Sequence, residues 1–232
     1  MALLEVIALD DADARAAERG GADRIEVVAD MAAGGLTPDP EAVARIRRAT
    51  TLPMRAMLRA NSGFRITPPE LDRLRRAAGD LKRAGVDGFV FGFLDASGAV
   101  DLAAVAKLAA VADPLPWTFH RAIDHAAEPD AAWRSVLEIG GTLDTVLTAG
   151  SARGLDAGVE ALVRRAAGDP AAARMIMAGG GLRRRHVAPL AAAGVGAFHV
   201  GGAVRPDGSW TAPVDAGLVR EWRALVSAGA AA

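Results

Sequence analysis

The stretch RGGADRIEVV (residues 19–28) contains the pattern from which the fold is read. A charged helical tail stops at glycine, a short turn follows, and an apolar run begins. Glycine adopts the left-handed conformation that ends a helix without steric cost. The same design returns as RAGVDGFVFG (83–92) and AAGVGAFHVG (192–201). Three copies of helix end, glycine, turn and strand make a degenerate repeat.

Outward from these copies, short apolar runs fall at 3–8, 24–28, 54–58, 89–93, 117–119, 145–147, 175–177 and 197–200. Alanine-rich helical segments lie between them, at 11–19, 69–83, 102–112, 131–137, 161–167 and 186–193. Alternating β and α elements imply a parallel sheet with helical crossovers. Eight repeats imply closure into a single (β/α)8 TIM-type barrel, an α/β fold running through residues 1–232 as one domain. The other α/β architecture, an open doubly wound sheet, calls for G-x-G-x-x-G after the first strand. The first turn here, ALDDADA, has no glycine. Residues 227–232 read as a frayed tail or an extension of the last helix.

A chain of 232 residues buries enough surface to fold without staples. It has no cysteine, which excludes disulfides, thiolate metal sites and a cysteine nucleophile. Net charge is −1, which argues against nucleic-acid or membrane-surface partners. The opening MALLEVIALDDADA lacks a basic region before its apolar run, so it does not read as a secretory signal. The expectation is a cytoplasmic protein. Lys82 and Lys107 are the only lysines and both sit in helical segments, which disfavours Schiff-base chemistry. There is no tyrosine to act as a phenolic acid or base.

Polar residues inside barrel strands need a reason, because those strands are buried on both faces. Glu5 and Glu26 are each flanked by aliphatic residues. The structural reading pairs them with arginines inside the barrel, such as Arg55 or Arg59. The functional reading makes them acid–base groups. The fifth strand runs from apolar to polar through Thr118, Phe119, His120, Arg121, Ala122, Ile123, Asp124 and His125. In a barrel this change marks the C-terminal rim, where reactive groups collect. His120 with Asp124 offers a tuned acid–base pair or a metal ligand with its support. His199 closes the eighth strand, beside the first. His186 reads as part of a solvated face with Arg183, Arg184 and Arg185, and His125 as a loop residue.

The seventh and eighth strands end in glycines: Gly179, Gly180 and Gly181, then Gly201 and Gly202, with Arg205 following. Barrels commonly bind phosphate with these two loops, through glycine amides. Tight turning is the plainer explanation of the same residues.

The motifs GGADRIE (20–26), GGLTP (34–38), TFHRAID (118–124) and the glycines after the seventh strand resemble the CutC family. The resemblance covers nearly the whole chain. It implies a cytoplasmic barrel, often a homodimer, with a role in copper homeostasis. It also implies a polar pocket built from Glu5, Glu26, Arg59, His120, Arg121, Asp124, Thr148 and His199. Many members have cysteines where Ile7 and Val28 stand, and a second arginine where Asn61 stands. Soft thiolates are the natural ligands of Cu(I).

Three functions therefore compete. One is copper handling, with His120, His199 and Glu26 as the candidate ligands of copper or another divalent metal. The second is an isomerase- or lyase-type enzyme without an organic cofactor. There Glu26, His120, Asp124 and Glu5 move protons, while Arg59, Arg121, Thr148, His199, Gly180, Gly181, Gly201 and Gly202 hold a small anionic or carbohydrate-like molecule. The third is a binding barrel with no chemistry.

Overall fold

The computed structural model describes residues 2–229. Eight strands form a closed barrel in sequence order. They are β1 (Leu3–Ala8), β2 (Arg24–Val27), β3 (Met54–Met57), β4 (Gly88–Phe91), β5 (Trp117–Phe119), β6 (Leu143–Thr148), β7 (Ile176–Ala178) and β8 (Ala197–Val200). All pairings are parallel, and β8 closes on β1 with Glu5 opposite His199. The helices among the described residues are α1 (Asp11–Gly20), α2 (Pro40–Ala49), α3 (Pro68–Ala84), α4 (Leu102–Ala112), α5 (Pro129–Leu137), α6 (Leu155–Gly168), α7 (Pro170–Met175), α8 (Arg184–Ala192) and α9 (Ala216–Gly229).

The repeat glycines do what the sequence implies. Gly21, Gly85 and Gly194 have φ of 86°, 97° and 97°. Gly21 and Gly85 each return an amide to the last turn of α1 and α3. Most boundaries move by a residue or two, and three of the differences have a visible cause. Strand β6 starts at Leu143 because Asp144, although charged, lies within the ladder and pairs with Arg55. Met175 ends α7, a short helix opened by Asp169 and Pro170. Helix α6 begins at Leu155, directly after Gly154. Residues 227–229 continue α9, and 230–232 lie outside the described residues.

Alternation along the strands sorts side chains into two environments. Leu4, Val6, Ile25, Val27, Phe89, Phe91, Trp117, Phe119 and Phe198 point outward and pack under the helices in the main core. The residues between them fill the barrel in layers. At the N-terminal end Arg55 donates to Asp144 at 2.5 and 2.7 Å and to Thr118 at 2.6 Å. Above that plug lies a charged layer of Glu5, Arg24, Glu26 and His199. Above the charges sits a small apolar cluster of Ile7, Val28, Met57 and Val90.

His186 does not lie on a solvated face. Only 3% exposed, it accepts the Arg183 amide through Nδ1 and places Nε2 2.9 Å from Asp156. It closes the first turn of α8, which explains a histidine in an arginine run.

Candidate functional site at the barrel mouth

The strand pairings bring Glu5 and Glu26 to adjacent strands and His199 across the seam. The partner of Glu5 is neither Arg55 nor Arg59. Arg24 Nε donates to Glu5 Oε2 at 2.5 Å, and His199 Nδ1 lies 2.8 Å from Glu5 Oε1. Arg24 shares the inward face of β2 with Glu26, two residues on, and its guanidinium also touches the Met177 sulfur at 3.5 Å. Burial alone would raise the Glu5 carboxyl, but Arg24 and the His199 hydrogen bond outweigh it and hold it well below the usual range. An ionised Glu5 makes Nδ1 of His199 the donor.

Glu26 is in the opposite condition. Its Oε2 lies 3.6 Å from His199 Nε2 and its Oε1 has no partner. Burial pushes its carboxyl up, His199 pulls it down and the Glu5 charge pushes it up again, leaving it at about 7. His199 is raised: its hydrogen bond to Glu5 and the charges of Glu26 and Glu5 overcome the lowering effect of burial.

His120 follows β5 and opens the 3-10 turn Arg121–His125. Its Nδ1 accepts the Ala122 amide at 3.2 Å, so the ring proton resides on Nε2. That Nε2 is buried without a partner. Burial, with Arg59 and Arg121 nearby, lowers the imidazole to about 3, so it is neutral at ordinary pH. Phe64 meets the ring edge-on, centroids 5.5 Å apart.

Asp124 does not line the cavity. Its carboxylate accepts from Thr148 Oγ1 (2.6 Å), the amides of Ala149 (2.9 Å) and Gly150 (3.1 Å), and Arg121 Nε (2.8 Å). Asp124 and Thr148 thus fix the loop after β6 and aim Arg121. Arg59 likewise acts on loops: its guanidinium donates to the carbonyls of Gly34 (2.9 Å), Gly63 (3.2 Å) and Ser62. It also stacks 4.8 Å from the Phe64 ring, which holds Phe64 against His120. Arg205 is committed to Asp13 at 2.5 Å beneath the loop after β8.

A single cavity of about 670 Å³ joins Glu26, His120, Arg121, His199, Gly180, Gly181, Gly201 and Gly202. The amides of Gly180, Gly181 and Gly202 donate to no protein group among the described residues. The Arg121 guanidinium lies directly on Gly180: a Cβ there would come within 2.6 Å of Nε. Arg24, Phe64 and Trp210 belong to this environment and were not singled out from sequence. Of these, Arg24 had a readable signal, an arginine two residues before Glu26 on the same strand face. The lysines Lys82 and Lys107 do not line the cavity.

Fold and site together define a (β/α)8 barrel with a polar, partly unpaired cluster at the C-terminal mouth. The CutC family model matches residues 2–204, and the chain belongs to the CutC family. Family protein CutC of Klebsiella pneumoniae strain 342 is 39% identical over 201 residues, covering 86% of this chain and 79% of the relative. That of Chromobacterium violaceum is 36% identical over 193 residues, covering 82% and 76%. The crystal structure of a copper homeostasis protein CutC from Streptococcus agalactiae, provisionally so described, superposes with a TM-score of 0.76 at 22% identity, over 87% of this chain and 98% of that one. Thiamine phosphate pyrophosphorylase from Pyrococcus furiosus superposes at 0.59 and 17% identity, over 98% and 96%. At these identities the likenesses speak to fold alone. Among the described residues no helix is long and apolar enough to cross a membrane.

The family name raises copper, and the donor set does not fit it. The chain has no cysteine, and Ile7 and Val28 are packed in an apolar cluster. Among the described residues no three His, Asp or Glu side chains converge closely enough to hold a metal ion. Cu(I) prefers soft thiolate or thioether ligands; the two thioethers at this mouth, Met57 and Met31, pack in and against the apolar cluster of Ile7 and Val28, and the other groups are hard carboxylates and two imidazoles with different partners.

Proposed function

We propose that the cavity is the active site of an acid–base enzyme, of isomerase or lyase type, acting on a small molecule that carries a phosphate or carboxylate. One observation supports this most directly. Two buried polar atoms, Glu26 Oε1 and His120 Nε2, lack partners and belong to residues lining the same cavity. An unpaired buried polar atom costs about 1–3 kcal/mol. Of the three such atoms among the described residues, the third, Arg205 Nε, lies outside the cavity, and the two inside it are where a bound molecule can complete them.

The roles follow from the protonation states. Neutral His120 donates from Nε2 to the carbonyl oxygen of the substrate. Glu26, poised near 7, takes the proton from the adjacent hydroxyl-bearing carbon and returns it to the former carbonyl carbon, while His120 Nε2 passes its proton to the carbonyl oxygen and recovers the one released by the neighbouring hydroxyl, so protons balance with no external reagent. His199 stands behind Glu26, oriented by Glu5. The free amides of Gly180, Gly181 and Gly202, with Arg121, hold the anionic group. We take the protein to work in the cytoplasm as a homodimer, as the family resemblance implies.

The test is a thermal-shift screen of phosphate- and carboxylate-bearing carbonyl compounds, followed by solvent-deuterium incorporation into any that bind. Hits should protect the wild type, not His120→Ala, and exchange a carbon-bound proton. Equal protection of both proteins would remove His120 from the site.

A further inference from the structure

The contents of the barrel change character with height. The charged layer around Glu5 is capped by Ile7, Val28, Met57 and Val90, a buried cluster separate from the main core. The outward apolar faces of the strands pack under the helices in the main core. The separate cluster is flanked only by loop residues, Met31 and Trp210 among them, and Ile7, Val28 and Met57 line the open cavity. Apolar lining of a pocket covers the apolar part of a ligand, while a few placed polar groups orient it.

From this arrangement we infer that the ligand is amphipathic. It is an organic phosphate or carboxylate whose carbon body, ring-bearing or branched and of roughly six carbons or more, rests on the shelf of Ile7, Val28 and Met57 beside Trp210. This rests on the anion-binding reading of the glycine loops.

Three observations support it. Shelf and glycine loops share a border at Gly201, where an added Cβ would come within 2.9 Å of Ile7 Cδ1 and would also strike the Trp210 indole. A molecule anchored on the amides therefore has its body beside the shelf. The cavity volume, about 670 Å³, is in the range that encloses ligands well beyond a three-carbon phosphate. Trp210 is also held in place beforehand. Arg205, locked to Asp13, stacks 5.1 Å from its ring, and Trp210 is half-buried while Trp117, Trp133 and Trp222 are buried. A rigid, partly exposed indole beside an anion site is a platform for a planar or branched body.

Calorimetric titration with inorganic phosphate and with phenyl phosphate tests the inference on the full chain. Wild type should bind phenyl phosphate at least roughly tenfold tighter, the effect of burying one ring. In Trp210→Ala and in Val28→Thr, which changes polarity at constant shape, the ratio of the two affinities should fall toward one. Equal affinities in the wild type would overturn the shelf and leave the anion site standing. A ratio untouched by both substitutions would also overturn it. No binding of either compound would overturn the anion reading itself, and the shelf with it.

Discussion

Glu5 and His199 face each other inside the barrel, Oε1 2.8 Å from Nδ1, although 194 residues separate them in the chain. The contact lies on the seam where β8 closes on β1. Arg24, on the other side of Glu5, keeps that carboxylate charged. The geometry therefore fixes which nitrogen of His199 donates, and leaves Nε2 facing Glu26. Nitrogen-15 NMR of labelled histidine can read this directly, since the chain has four histidines. His199 should keep its second ring proton above the ordinary midpoint of 6.5. Glu5→Gln should bring the midpoint down, by removing a buried charge and the hydrogen bond that holds the ring proton. An unchanged midpoint would show that Glu5 does not govern His199.

Glu26 is costly to the fold when ionised. Its carboxyl moves from 4.5 to about 7 on folding, so the folded state binds more protons than the unfolded one between those values. Stability is then lost as pH rises through that window, and the loss persists above it. Glu26→Gln removes the titration. Urea denaturation should find it more stable than wild type at pH 8 by about 2–3 kcal/mol, and by much less at pH 4.5. A constant difference across pH would mean that Glu26 is not desolvated as the structure shows.

His120 has the opposite sign. Its imidazole moves from 6.5 to about 3, so the unfolded chain takes up a proton that the folded one refuses. Stability present above pH 6.5 falls as pH drops toward 3, by an amount on the order of 3–5 kcal/mol. His120→Gln keeps a neutral amide at the position and should flatten the acid limb of the stability profile. An acid limb as steep as that of wild type would place the acid sensitivity elsewhere.

Much of the barrel was legible because its signals are local. Glycines 21, 85 and 194 announce helix ends wherever they fall, and apolar runs between them announce strands. Asp144 broke that logic. A charge inside a ladder is acceptable when Arg55 reaches across from β3, and no local pattern reports a partner 89 residues away. The site followed the same division. Glu26, His120 and His199 stood out as polar residues at strand ends, and the cavity joins them. Asp124 stood out in the same way, and Thr148 and Arg59 through the family resemblance, yet Asp124 and Thr148 fix the loop after β6 and Arg59, although it lines the cavity, donates to loop carbonyls, which only three-dimensional hydrogen bonding reveals. Arg24 was the reverse: visible on the same face as Glu26, it has meaning only once β1 lies beside β2. Trp210 sits in a segment without periodicity, and its place over Gly201 depends on the Arg205–Asp13 pair beneath.

The two glycines after β7 allow the anion site to be separated from mere turning. Gly180 and Gly181 both have left-handed φ, 83° and 87°. Alanine at either position therefore incurs a similar backbone penalty, about 1–2 kcal/mol. Their surroundings differ. An added Cβ at Gly180 comes within 2.6 Å of Arg121 Nε, whereas at Gly181 it meets nothing within 4 Å. Gly180→Ala must push the guanidinium off its seat, away from Asp124 and from the free amides. Calorimetry with inorganic phosphate should then show a larger loss of affinity for Gly180→Ala than for Gly181→Ala, while thermal unfolding shows a loss of stability for both. Equal losses of affinity would mean that Arg121 takes no part in holding the anion. No phosphate binding in the wild type would leave tight turning as the only role of these glycines.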